Sequence, residues 1–114
     1  MSDSILTSTK RRFGLSEDST DFDLDITMDI NTALMELGML GVEKGSIKRI
    51  TDKTSNWSDF IGIDDETLEA VKTYVYLRVK LSFDPPQTNP LIQSINNQLL
   101  ELAWRINVRA EGGS

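Results

Sequence analysis

A chain of 114 residues makes a single domain the natural expectation, with one modest core and no room for a large enclosed substrate pocket. Hydrophobic residues at 39% and charged residues at 26% fit a globular chain rather than a disordered one. A formal net charge of -6 argues against gripping nucleic acid. Such binding needs a clustered positive surface to displace counterions from phosphate, and Lys10-Arg11-Arg12 and Lys48-Arg49 are only short clusters in an acidic molecule. An acidic surface instead tolerates DNA close by without sticking to it.

The first predicted element is a short helix. Asp3 or Ser4 can cap it, Ile5, Leu6 and Phe13 give it an apolar side, and Gly14 suits its stop. A polar connection, residues 15–20, follows. The next segment fits two templates. Phe22, Leu24, Ile26, Met28 and Ile30 alternate as in a strand, whereas Phe22, Ile26, Ile30, Ala33, Leu34 and Leu37 keep a helical period that outlasts the alternation. Asp21, Asp23 and Asp25 are poor strand residues but favour the positive end of a helix dipole, so a helix is expected from about 21 to 40, with Gly38 and Gly41 at its exit.

Residues 42–62 are irregular. Residues 47–51 fit a short strand, Thr54-Ser55-Asn56 a turn, and Trp57-Ser58-Asp59-Phe60-Ile61 a single helical turn with two large aromatics three apart. A connection this long in a small domain usually carries function. A third helix is expected from about 65 to 83, capped by Asp64 and Asp65. Leu68, Val71, Val75 and Val79 form one stripe, and Tyr74, Leu77 and Leu81 widen it. Asp84-Pro85-Pro86 ends it, because proline cannot continue the hydrogen-bond ladder. Asn89 caps a last helix with Pro90 at its first position. Ile92, Ile95, Leu99, Leu102 and Ile106 form its main stripe, and Leu100, Trp104 and Val108 a second side. The expected fold is all-α: three long helices and one short one in a small bundle with an extended loop, a single domain over residues 1–110 and a flexible tail over 111–114.

No chemistry announces itself. There are no cysteines and no histidines, which removes disulfides, thiolate metal sites, the usual general base near neutral pH and most zinc sites. No SxxK and no Gly-rich phosphate loop occurs. Asp21-Phe22-Asp23-Leu24-Asp25 fails as a calcium loop, since Ile26 stands where glycine must turn the chain and Thr32 where a bidentate Glu must close the site. Residues 2–4 offer no charged leader and no apolar run approaches the ~20 residues of a membrane span, so no secretory signal and no membrane contact are expected. No enzyme activity, cofactor or metal is expected either.

What remains is surface. Trp57 and Phe60 either roof the core beneath the loop or anchor a neighbouring subunit, where aromatics are enriched. Trp104 divides in the same way between core and interface. A helix apolar on two sides must bury both somewhere, and a domain this small offers few partners of its own. Lys72, Arg78 and Lys80 read as a solvated face, or as partners for Asp21, Asp23 and Asp25 of an adjacent copy, contributing ~0–1 kcal/mol each.

The stretch Val71-Lys72-Thr73-Tyr74-Val75-Tyr76-Leu77-Arg78-Val79-Lys80-Leu81-Ser82-Phe83-Asp84-Pro85-Pro86, with Leu99-Leu100-Glu101-Leu102-Ala103-Trp104-Arg105-Ile106-Asn107-Val108 downstream, resembles the head-tail connector (adaptor) proteins of long-tailed phages. The resemblance takes in residues 57–61 and the Asp-rich second helix, and so spans roughly residues 4 to 109. It implies a small helical bundle with an extended loop and a structural role in the virion, with assembly in the host cytoplasm. Such proteins form a ring under the portal protein, extend the DNA channel, and give the stopper or tail completion protein its seat. Ring symmetry following the portal implies a dodecamer, through which DNA passes without specific binding. On that reading Trp57, Phe60, Lys72, Arg78, Lys80, Trp104 and Arg105 are candidate subunit-interface residues, and Asp21, Asp23 and Asp25 candidate channel-facing acids. The alternative is a small helical regulator of phage or bacterial origin that binds a protein partner.

Overall fold

The computed structural model describes residues 4–16, 18–39, 56–57 and 65–112, with side chains as far as 108. Four helices run in order: α1 (Ile5–Arg12), α2 (Asp23–Met39), α3 (Asp65–Phe83) and α4 (Asn89–Gly112). Among the described residues there is no strand, so the all-α expectation holds; a single antiparallel bridge joins Ser4 to Asn56. Phe60, the strand expected at 47–51, Gly41 and Asp64 lie outside the described residues.

Each helix end has a local cause. Ser4 caps α1: its extended backbone turns its Oγ to accept the Thr7 N–H at 3.2 Å. At the other end Gly14 adopts φ 75, which lets the Leu15 N–H reach the Lys10 carbonyl and the Gly14 N–H reach that of Arg11, each at 3.0 Å. Helix α2 begins at Asp23 rather than 21; Asp21 and Phe22 form a turn before it, and Asp23 and Asp25 occupy its first turn. Gly38 is the second-last residue of the described helix, near the expected exit. The bounds of α3 match the expectation of 65 to 83. In α4 the Thr88 carbonyl accepts the Ile92 N–H at 3.1 Å, so the cap sits one residue before Asn89. The described helix runs to Gly112, into the segment 111–114 expected as a tail.

The core is organised by α3, which packs against both α2 and α4, while α2 and α4 meet chiefly through it. Val71, Val75 and Val79 are completely buried on one side of α3, and Tyr74 and Leu77 extend that burial over roughly 200° of its circumference. From α2 come Ile26, Ile30, Ala33, Leu34 and Leu37, and from α4 Ile95, Leu99 and Ile106. Helix α1 adds Ile5 and Leu6, and an aromatic cluster closes that end. Phe13 lies 5.0 Å from Tyr76 and 5.7 Å from Phe83, Phe22 lies 5.3 Å from Phe83, and the Arg12 guanidinium stands 4.2 Å over the Tyr76 ring.

One charged side chain is part of this core. Lys10 is 4% exposed; its Nζ stands 2.8 Å from Asp23 Oδ1 and donates to the Ser19 carbonyl. The approach to Asp23 is an ion pair set off the hydrogen-bonding direction, since Oδ1 has no aligned donor. A buried ammonium needs such partners, and here they fasten α1 to the connection and to the start of α2. Lys10→Met is expected to lower the urea-unfolding free energy by about 1–3 kcal/mol, because Asp23 and the Ser19 carbonyl lose their cation. Adding Asp23→Asn should recover part of that loss. A double variant as unstable as the sum of the two singles would show that the pair is incidental.

Candidate subunit interface

Several of the candidate residues are used inside the protomer. Trp57 is 4% exposed, and its Nε1 donates to Ser8 Oγ at 2.8 Å, so residues 56–57 are pinned to α1 and the indole roofs the core. Arg78 is not on a solvated face. Its Nε donates to both carboxylate oxygens of Glu36 on α2, at 3.1 and 3.3 Å, and the Tyr74 hydroxyl donates to Glu36 Oε1 at 2.8 Å. Burial first, then the hydrogen bond to Glu36 and its charge, push the Tyr74 hydroxyl well above its ordinary titration range, with Arg78 acting the other way. Asp23 is committed to Lys10. Lys72 pairs with Glu69 at 3.1 Å and Lys80 with Asp84 at 3.6 Å, each within its own stretch of chain.

The outward faces carry more than these charges suggest. On α2, Leu24, Met28, Met35 and Met39 are 73%, 61%, 61% and 81% exposed. At 100° per residue all four fall within roughly 60° of one another, directly opposite the buried face, along about 22 Å of helix. Thr32 lies among them with its hydroxyl turned back onto the Met28 carbonyl at 3.1 Å, which leaves its methyl as the outward group. On α4, Leu100, Trp104 and Val108 are 71%, 67% and 45% exposed at four-residue intervals, again opposite the buried stripe. Beside them Arg105 pairs with Glu101 at 2.6 Å, both side chains largely in solvent. The second apolar side expected for α4 is therefore present and uncovered.

At the N-terminal end of the α2 stripe the surface dips into an open depression of about 420 Å³ lined by Phe22, Asp25, Met28, Asp29, Ser82 and Phe83. Partial burial, with Asp25 close by, raises the Asp29 carboxyl above its ordinary range, and Arg78 offsets part of that. Asp21 and Asp25 are exposed, whereas Asp23 is not free to face a channel.

Met35, Met39 and the role of Leu24 and Met28 escaped the sequence reading, though the signal was there: the strand-like alternation over residues 22–30 is what a helix with two apolar faces leaves in sequence. Among the described residues no group of three or more acidic side chains is placed to hold a metal ion, and no helix is long and apolar enough to cross a membrane.

The family model described as "Phage connector protein" matches residues 5–113. The chain belongs to the phage connector family. This is a family of structural proteins rather than enzymes, and membership implies contact with other proteins of the phage head and tail and a place in the virion. No curated protein and no solved structure matches the chain.

A connector is judged by its surfaces, and here structural and surface residues separate. Glu36→Ala is expected to destabilise the fold by about 1–3 kcal/mol, since it strands Tyr74 and Arg78 together. Trp104→Ala should shift stability by no more than about 0.5 kcal/mol. Chemical unfolding of both variants checks the contrast, and a Trp104 variant as damaged as the Glu36 variant would place Trp104 in the core.

Proposed function

We propose that this phage connector assembles as a ring under the portal protein, continues the DNA channel, and presents a seat to the stopper or tail completion protein. The observation that carries the reading is the pair of apolar stripes, on α2 and α4, that the protomer itself leaves uncovered. Identical subunits close into a ring only when two different faces of each copy meet, and this chain has two. A ring that follows a twelve-fold portal is a dodecamer. Of the candidate interface residues, Trp104 stands on such a face with Arg105 beside it, and Lys72 and Lys80 are part-exposed in ion pairs with Glu69 and Asp84. Asp21 and Asp25 remain the acids available to a channel, where negative charge repels phosphate and leaves DNA free to slide. Neither a membrane nor a small-molecule cofactor has a part in this work.

Size-exclusion chromatography with light scattering, on the protein alone and then mixed with the purified portal of its own phage, tests the reading. The expected result is a stable complex with one connector copy per portal subunit. An intact portal that retains none of the protein at any salt concentration would overturn it.

A further inference from the structure

The two uncovered stripes have one occupant in common, which is each other. We propose that the α2 face of one copy, from the Phe22/Met28/Phe83 depression to Met39, receives the Leu100, Trp104 and Val108 face of the next copy. The inference rests on the connector reading and specifies which faces meet.

Three observations favour a second copy over a different protein. The stripes lie on the two helices that flank α3, each opposite its own buried face, so that neither can reach the other within one protomer. Their chemistry is matched. Helix α2 holds no basic residue, and with Asp23 and Glu36 already paired to Lys10 and Arg78 it keeps Asp25 and Asp29 toward the stripe, whereas on α4 Glu101 is balanced by Arg105. Setting α2 against α4 therefore avoids facing two acidic helices, which pairing α2 with itself would force. The third observation is local. Trp104 and Arg105 stand side by side on α4, and the depression offers an apolar floor from Phe22, Met28 and Phe83 beside the carboxylates of Asp25 and Asp29. An indole fits the floor and a guanidinium the Asp29 side of the rim, which leaves Asp25 exposed. Arg105 has donors to spare, because a single solvent-exposed Glu101 cannot occupy all five.

The contact is small. Seven side chains between them amount to a few hundred Å² on each face, below the ~800 Å² per partner of a stable pairwise complex. The face is thus expected to stay open in the dilute protein and to close when copies are held together.

The sequence has no cysteine, so single-cysteine cross-linking reads the contact without background. Met28→Cys, Leu100→Cys and the double variant would be treated at high concentration with a short bismaleimide. The double variant should give a ladder beyond the dimer. Each single variant alone should give almost no product, and a mixture of the two singles a heterodimer that grows no further. Adding Trp104→Glu to the double variant should reduce the ladder at least about tenfold with the far-UV circular dichroism unchanged. A single variant that dimerises as well as the mixture would overturn the proposal, since that face would then pair with itself. Absence of cross-links in every variant would overturn it too. Portal binding of the same variants keeps the two readings apart. Portal-bound protein without cross-links would sink the α2-to-α4 pairing and leave the connector role standing, and a ladder without portal binding would do the reverse.

Discussion

The position of α3 between α2 and α4 is the constraint from which the other features follow. A helix that packs on two neighbours must be apolar over most of its girth, and α3 is, with Val71, Tyr74, Val75, Leu77 and Val79 all buried. Its neighbours then face each other chiefly across it. Each of them has one face it can bury inside the protomer, and any further apolar surface must stay in water or be covered by another molecule. Helix α1 is too short at eight residues to wrap either of them; it closes one end through Ile5, Leu6 and the Phe13 cluster. The bundle is complete as a core and incomplete as a surface, and in a family of assembly proteins the second property is the functional one.

Polar contacts fix how the layers sit. Burial alone would let α1 slide along the bundle, since Ile5 and Leu6 are satisfied by any apolar floor. Lys10 removes that freedom by demanding Asp23 and the Ser19 carbonyl at one position. Glu36 does the same between α2 and α3 by accepting from Tyr74 and Arg78 together. Such pairs gain little net energy, but a slipped register would leave the Lys10 ammonium buried without a partner, and that costs several times more. They also remove charge from the surface. Two of the acids that look available along α2 are already neutralised, so the exposed negative charge is concentrated at Asp21 and Asp25, with Asp29 half-buried beside them.

The helices were legible because their signals are local. Pro85-Pro86 stops α3, Ser4 and Gly14 bracket α1, and the period of Val71, Val75 and Val79 needs no tertiary knowledge to read. The charge pairings were not, because Glu36 and Arg78 are 42 residues apart and nothing in either neighbourhood names the other. Lys10 illustrates a middle case. Within Lys10-Arg11-Arg12 it reads as one of three surface cations, yet at four residues from Leu6 it lies on the apolar side of α1, and that spacing foretells its burial. Trp57 went to the core because Ser8 offered its indole N–H a partner. The second face of α4 was plain in sequence. That of α2 was hidden by the same alternation that made the segment look like a strand.

The charge left on α2 limits how the proposed ring can assemble. From Phe13 to Glu43 the sequence has no lysine or arginine, so bringing copies together gathers like charge within the ~8 Å screening length of physiological salt. That repulsion opposes a contact already too small to hold two free copies. Pairing α2 with a charge-balanced α4 reduces the cost but does not remove it. Closure changes the balance, because in a ring every copy makes both contacts and none is left at an open end. A portal that holds copies side by side raises their effective concentration and supplies the ordering that free copies would otherwise lose entropy to achieve. A weak, acidic, two-faced protomer is therefore suited to remaining apart in solution and joining only where a template has lined it up.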